Sequence, residues 1–160
     1  MYFEVQIVDH CNLNCAGCSH FSPLVEEKRF KSLDDFRKDV QQLYNLFKDK
    51  KIMLNILGGE PLLHPQLEEF LTLTRDILGY DNIVFLTTNG LLMKAKEEEF
   101  YNLLNSLKIR VKFTDYGLNI DKTFIEKIDT IIVTNRPIMR NISLDLSASQ
   151  NPEKSYNLCY

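Results

Sequence analysis

The sequence has little excess charge of either sign, no long apolar run and no basic leader. Its 160 residues carry 19 Lys and Arg against 22 Asp and Glu, a net charge of −3. The pI is near 5.6. Such a balance offers no basic field to nucleic acid and no polybasic patch to an anionic membrane. The longest apolar runs fall far short of the ~20 residues that a membrane-spanning helix needs. Met1-Tyr2-Phe3-Glu4 lacks the basic region and following apolar stretch of a secretory signal. The expectation is a cytoplasmic protein with neither a nucleic-acid nor a membrane partner. Internal repeats and low-complexity segments are also absent. With 44% hydrophobic and 26% charged residues the composition is that of a globular chain. The length suits one domain, 1–160, able to bury a core without staples.

Cysteine is scarce but unevenly placed. Three of the four cysteines lie within eight residues, Cys11-Asn12-Leu13-Asn14-Cys15-Ala16-Gly17-Cys18, and the fourth is Cys159. In a reducing compartment these are not expected to pair as disulfides, and the cluster of three points to a metal. Three soft ligands at C-x3-C-x2-C spacing suit an iron–sulfur cluster or a zinc ion. Structural zinc takes four ligands in closed geometry, so it would have to recruit His20 or Cys159. A four-iron cluster held by three thiolates leaves one iron open for chemistry.

The rest of the chain alternates strand and helix. Residues 2–8 read as a strand, followed by a long loop, 9–31, that carries the cysteines, His10, His20, Phe21 and Pro23. Ser32 with Asp35 is a capping-box-like helix start, and Leu33, Phe36, Val40, Leu43, Tyr44 and Phe47 recur at helical spacing. Residues 52–57 read as a buried strand and 83–88 as another. Pro65 predicts the first turn of a second helix and Gly79 its end. A third helix is expected over 94–107, a strand over 109–114, a short helix capped by Asp121, and a fifth strand over 130–133. Residues 141–146 alternate like a half-exposed strand. The order predicts an α/β fold of five or six mostly parallel strands, forming an open, partial barrel. Ligands in such sheets collect at the C-terminal strand ends. The cysteine loop, Gly58-Gly59-Glu60-Pro61, Thr88-Asn89 and Asp115 all follow strand ends and are expected to converge there.

Gly58-Gly59-Glu60-Pro61 on its own reads as a strand-to-helix turn. Beside a metal-binding loop, Glu60 gains a second reading as a carboxylate that accepts hydrogen bonds from an ammonium group. Asn89 is either a turn former or a cofactor contact after the third strand.

C-x3-C-x2-C after the first strand, with Gly-Gly-Glu-Pro after the second, resembles the radical S-adenosylmethionine superfamily. The resemblance implies that Cys11, Cys15 and Cys18 each ligate one iron of a four-iron four-sulfur (4Fe-4S) cluster. S-adenosylmethionine would chelate the fourth iron, with Gly58, Gly59, Glu60 and Pro61 holding its methionyl amino group. Asp115 or Thr114 would meet its ribose or carboxylate. The implied reaction is reductive cleavage to a 5′-deoxyadenosyl radical that abstracts hydrogen from a substrate, a small molecule or a peptide. The electron donor would be a protein such as flavodoxin or ferredoxin. Two features depart from the family pattern. Gly17 stands where an aromatic residue usually precedes the third cysteine, with Phe21 as a candidate substitute. No glycine-rich motif accompanies the fifth strand near 130–136.

Other readings stay open. The shortness of the chain also suits an activase that places a radical on a glycine of a partner protein. A non-enzymatic zinc or iron–sulfur module and a truncated, inactive domain are further alternatives. Residues 147–160, with Cys159, resemble the start of a cysteine-containing C-terminal extension, or are a polar tail with one surface thiol. Glu97-Glu98-Glu99 reads as a solvated helix face and His64 as a helix-entry residue.

Overall fold

β1 (Tyr2–Val8), β2 (Met53–Gly58), β3 (Ile83–Thr88), β4 (Arg110–Asp115) and β5 (Ile131–Asn135) lie side by side in sequence order as one parallel sheet. The computed structural model describes residues 1–15 and 18–136. Helices α1 (Leu33–Phe47), α2 (Leu67–Leu78) and α3 (Glu98–Ser106) make the first three crossovers, and a 3-10 turn at Thr123–Lys127 lies in the fourth. The sheet runs from β1 at one edge to β5 at the other, so among the described residues it is open. This is the expected α/β partial barrel. The strand expected at 141–146, the tail 147–160 with Cys159, and Gly17 lie outside the described residues. Among the described residues no helix is long and apolar enough to cross a membrane.

Strand side chains alternate between two faces, and the helices cover one of them. Phe3, Val5, Ile7, Leu54, Ile56, Val84, Leu86, Val111 and Phe113 join Phe36 and Val40 of α1, Phe70 and Leu71 of α2, and Phe100 and Leu104 of α3 in one core. Phe36 stacks on Phe70 with ring centres 4.6 Å apart, which locks α1 to α2. Ser32 caps α1, its hydroxyl oxygen accepting from the Asp35 amide at 3.1 Å, and Asp34 and Asp35 complement the helix dipole.

Two helix starts differ from expectation. α2 begins at Leu67, two residues after Pro65, because the His64 ring accepts from the Gln66 amide at 3.1 Å and holds the chain in a turn. α3 begins at Glu98, not near 94. Residues Met93–Ala95 form a separate 3-10 turn, and the Met93 carbonyl is taken by the Tyr101 hydroxyl at 2.6 Å. In place of the short helix expected to be capped by Asp121 there is a 3-10 turn whose N-cap is Lys122. The Asp121 carboxylate, one residue earlier, accepts from the Thr123 amide at 3.0 Å and braces the entry.

α2 stops at Gly79, whose φ of 66° is one that a side chain resists. Arg75, buried beneath this stop, donates to the carbonyls of Gly79, Asn82, Leu107 and Lys108 at 2.7–3.0 Å. One guanidinium thus satisfies carbonyls at the C-terminal ends of α2 and α3 together. Arg75→Met leaves these four carbonyls without their donor. The expected loss is about 3 kcal/mol of unfolding free energy in urea titration.

Candidate metal and cofactor site

The loop after β1 is tied at its neck. Val8 and Phe30 form an antiparallel bridge, the Lys31 amide donates to the Ile7 carbonyl at 2.9 Å, and the Asp9 amide to Arg29 at 3.3 Å. The loop therefore leaves and rejoins the sheet at one point, with the three thiols in between. Cys11, Cys15 and Cys18 are each half-buried. Turn bonds run from the Cys18 amide to Cys15 and from the Phe21 amide to Cys18. The Leu13 amide and the Asn89 side-chain amide both approach Cys11 Sγ, at 3.4 and 3.6 Å. Such donors favour a charged sulfur.

The turn after β2 reaches this neck through its backbone. The Gly59 amide donates to Val8 at 2.7 Å and the Glu60 amide to the His10 carbonyl at 3.0 Å. A Cβ on Gly59 would overlap the His10 carbonyl, and one on Gly58 the Val8 carbonyl. Gly58 is therefore required by contact with the end of β1 and Gly59 by contact with the cysteine loop, beyond any need of the turn itself.

Glu60 is fully buried. Its Oε1 accepts from the Leu62 amide at 3.0 Å and the Thr88 hydroxyl at 2.7 Å, and its Oε2 from the Asn89 amide at 2.9 Å. The carboxylate thus fastens the end of β2 to the end of β3. Burial pushes its pKa up to about 7, against the pull of these three donors. Asn89 continues the chain of contacts, its side-chain amide donating to Asn12 Oδ1 at 2.7 Å while facing Cys11. Burial pushes the Cys11 thiol up, Leu13 and Asn89 pull it down, and Glu60 and Cys15 add to the rise. Burial likewise raises Cys15, with Cys18 adding to it.

Of the residues singled out in the sequence, Cys11, Gly58, Gly59, Glu60 and Asn89 meet directly, with Pro61 opening the next turn. Asp115 stands at the end of β4 as expected, but its carboxylate is engaged elsewhere. It accepts from the Gly117 amide at 2.9 Å and pairs with Lys122, whose ammonium holds its pKa down. Phe21 adopts a left-handed backbone at φ 54° and its ring is 60% exposed. His20 Nδ1 accepts from the Gln6 side-chain amide at 2.6 Å, and His10 stacks edge-on against Phe30. The residue sequence reasoning missed is Tyr116. It is half-buried beside the thiols, its hydroxyl raised by burial and then by Cys15, Cys11 and Cys18, against Arg136. The signal available for it was an aromatic side chain directly after the fourth strand.

Among the described residues no three His, Cys, Asp or Glu side chains converge as a site for a single metal ion. The donor set itself is three soft thiols, Cys11 with two N–H donors at its sulfur, beside a backbone cradle that admits no Cβ, and it fits a cluster bound through three thiolates. A cavity of about 360 Å³ lies at the opposite end of the sheet, lined in part by Lys51, Arg75, Tyr80 and Lys108. Its buried cation is the Arg75 staple, so that end is packing between helix ends.

Comparison with known proteins bears on family and fold. The model of the radical SAM superfamily matches residues 5–145. A GTP 3′,8-cyclase of Alkaliphilus oremlandii is 32% identical over 123 residues, covering 76% of this chain and 36% of that protein. One from Thermodesulfovibrio yellowstonii is 32% identical over 104 residues, covering 63% and 31%. The chain spans about a third of the length of these curated relatives. BtrN in complex with AdoMet and 2-DOIA superposes with a TM-score of 0.65 at 18% identity, over 84% of this chain and 56% of that one. The anSMEcpe complex with AdoMet and the Cp18Cys peptide gives 0.58 at 17%, over 82% and 42%. At these identities the likeness is one of fold.

Two measurements check the geometry. Gly59→Ala is expected to destabilise the chain by about 3 kcal/mol or more, as its methyl must displace the His10 carbonyl. For Glu60 the folded pKa exceeds the unfolded one, so its contribution is full below pH 4.5 and is lost as pH rises through about 7. Relative to Glu60→Gln, which does not titrate, the wild type is expected to lose on the order of 3 kcal/mol across that window. Parallel urea titrations at several pH values read the difference.

Proposed function

We propose, from the premise that the chain belongs to the radical S-adenosylmethionine superfamily, that it binds a 4Fe-4S cluster through Cys11, Cys15 and Cys18 and initiates a hydrogen-abstraction reaction. The observation that supports this most is the physical union of the two motifs. The Glu60 amide holds the His10 carbonyl, and the Glu60 carboxylate holds Asn89, which faces Cys11. When bound, the cluster and S-adenosylmethionine supply reductive carbon–sulfur cleavage to a 5′-deoxyadenosyl radical. The chain's own part is to bind, orient and shield. Cys11, Cys15 and Cys18 supply the thiolates. The Leu13 amide and Asn89 stabilise charge on Cys11. Gly58, Gly59, Glu60 and Pro61 present a backbone edge to the methionyl amino group.

In this reading the Glu60 carboxylate braces that edge, because its oxygens are already engaged. Asn89 and the backbone at Asp115, the end of β4, with Tyr116 after it, would flank the remainder of the cofactor. The relatives are named for a reaction on GTP, and the similar folds were solved with 2-DOIA and with a peptide. The proposal is therefore made at the level of reaction class. A reduced protein such as flavodoxin or ferredoxin is the electron donor. The cytoplasm is the compartment that suits unpaired thiols.

The test is anaerobic cluster reconstitution, then electron paramagnetic resonance of the reduced protein with and without S-adenosylmethionine. The expected result is a reduced-cluster signal that changes on adding S-adenosylmethionine. Cys11→Ala, Cys15→Ala and Cys18→Ala are each expected to abolish it. A cluster signal indifferent to S-adenosylmethionine would support a non-catalytic module instead, and tight zinc without a cluster would overturn the proposal.

A further inference from the structure

We propose that Lys112, on the face of the sheet that α1–α3 leave uncovered, anchors an oxyanion of the substrate, a carboxylate or a phosphate, above a hydrogen-bonded floor of Tyr2, Glu4, Asn55 and Thr87. The proposal deepens the radical reading of the site and rests on it for the position of the reacting end.

Strands of a parallel sheet are ordinarily apolar on both faces. Here the face away from the helices carries Glu4, Gln6, Asn55, Thr87 and Lys112, from four different strands. Asn55 is only 3% exposed, yet its amide is fully used. Its Nδ2 donates to the Tyr2 hydroxyl oxygen at 2.9 Å and to Glu4 Oε1 at 3.4 Å, and its Oδ1 accepts from the Thr87 hydroxyl at 2.8 Å. Tyr2 in turn donates to Glu4 at 2.7 Å. The network joins β1, β2 and β3 and is closed on itself.

Lys112 stands beside this network without being consumed by it. Its ammonium donates to the Tyr2 hydroxyl oxygen at 3.3 Å and lies 4.0 Å from the Phe85 ring centre and 4.9 Å from that of Tyr2. Among the described residues it forms no ion pair. An ammonium has three N–H donors, and among the described residues the Tyr2 hydroxyl is the one hydrogen-bond acceptor that Lys112 has, which leaves donor capacity for a ligand. Glu4, the acid on this face, accepts from Tyr2 and Asn55 through Oε1, and its charge acts on the Lys112 ammonium without an ion pair forming.

The placement sets the kind of ligand. Lys112 lies three residues before Asp115, the last residue of β4, and Tyr116 follows that end. At ~3.3 Å per residue the strand runs about 10 Å from Lys112 to the end where the cysteine loop sits. A small polar molecule fits that span, with its reacting carbon toward the cysteines and its anionic end on Lys112. The polar floor disfavours a lipid or other apolar substrate, which would strand its hydrogen-bonding groups.

The test uses the full chain, reconstituted, with lysines carrying carbon-13, and follows their NMR signals at constant ionic strength. Inorganic phosphate and acetate are titrated separately, with glycerol as the neutral control. The expected result is a saturable shift of one lysine, identified as Lys112 by its disappearance in Lys112→Met. Backbone amides at Tyr2, Asn55 and Thr87 are expected to report the same binding, weakened by about tenfold or more in Lys112→Met and kept in Lys112→Arg. Saturation by phosphate alone assigns a phosphorylated substrate, by acetate alone a carboxylate, and by both the shared oxyanion chemistry. No saturation by either anion, or equal binding to Lys112→Met, overturns the proposal. The S-adenosylmethionine-dependent resonance signal is measured on the same samples. Its loss in wild type with anion binding intact would reject the radical reading and leave the anion site standing.

Discussion

Glu60 places a carboxylate with no exposed surface where three segments of chain come together. A bare buried carboxylate is costly, and this one is tolerable because three donors from Leu62, Thr88 and Asn89 converge on it. The dependence runs the other way as well. Without the carboxylate, the buried Asn89 amide and Thr88 hydroxyl would lack their acceptor, and the hydrogen bonds that fix the end of β3 to the turn after β2 would be lost. Thr88 also accepts from the Gly90 amide at 3.0 Å, so the same carboxylate indirectly sets the turn after β3. Asn89, held by its backbone, is then free to turn its side chain to Asn12 and Cys11. A fully buried group thereby bears on the half-buried Cys11 thiol.

The two faces of the sheet divide the work. On one, the α1–α3 layer supplies an apolar core whose helix ends are tied by Arg75, at the end of the strands remote from the thiols. That end needs only to be stable. On the other face, packing asks for nothing polar, yet Glu4, Asn55, Thr87 and Lys112 occupy it. Their hydrogen bonds cross from strand to strand, so the layer is rigid without being apolar. A rigid polar wall on an open sheet is what a ligand needs for a defined position.

Much of this was legible in the chain before any coordinates. Alternating apolar runs and short turn signals mark the parallel strands, since strand and helix periods differ sharply. Ser32 with Asp35 marks the start of α1 because capping is a local bond. The close approach of Gly59 to His10 was half legible: two glycines announce an unusual turn but do not name what they touch. Less legible was anything decided by distant residues. Pro65 signals a helix start, yet the His64 ring, wedged between Phe30 and Phe70, delays it. The helical pattern of 94–107 hides a break, because the Tyr101 hydroxyl claims the Met93 carbonyl. Asp115 follows a strand like the other candidates, but Lys122, seven residues on, has drawn its carboxylate aside. Tyr116 escaped notice because nothing local distinguishes an aromatic residue at a strand end from one in a core.

Three polar residues of the fold break the local pattern of the sequence around them. Asn55 sits inside an apolar strand, Lys112 between Val111 and Phe113, and Glu60 between a glycine and a proline. Each breaks a local rule that its neighbours obey, and natural chains break such rules mainly where function compensates. The compensation differs in kind. Asn55 and Glu60 are satisfied within the protein, so they shape the site and need no ligand to be stable. Lys112 is held by the Tyr2 hydroxyl and the Tyr2 and Phe85 rings, and an anion would add to those contacts. A cation set among satisfied groups is organised before a ligand binds, and the ligand then has little protein reorganisation left to drive.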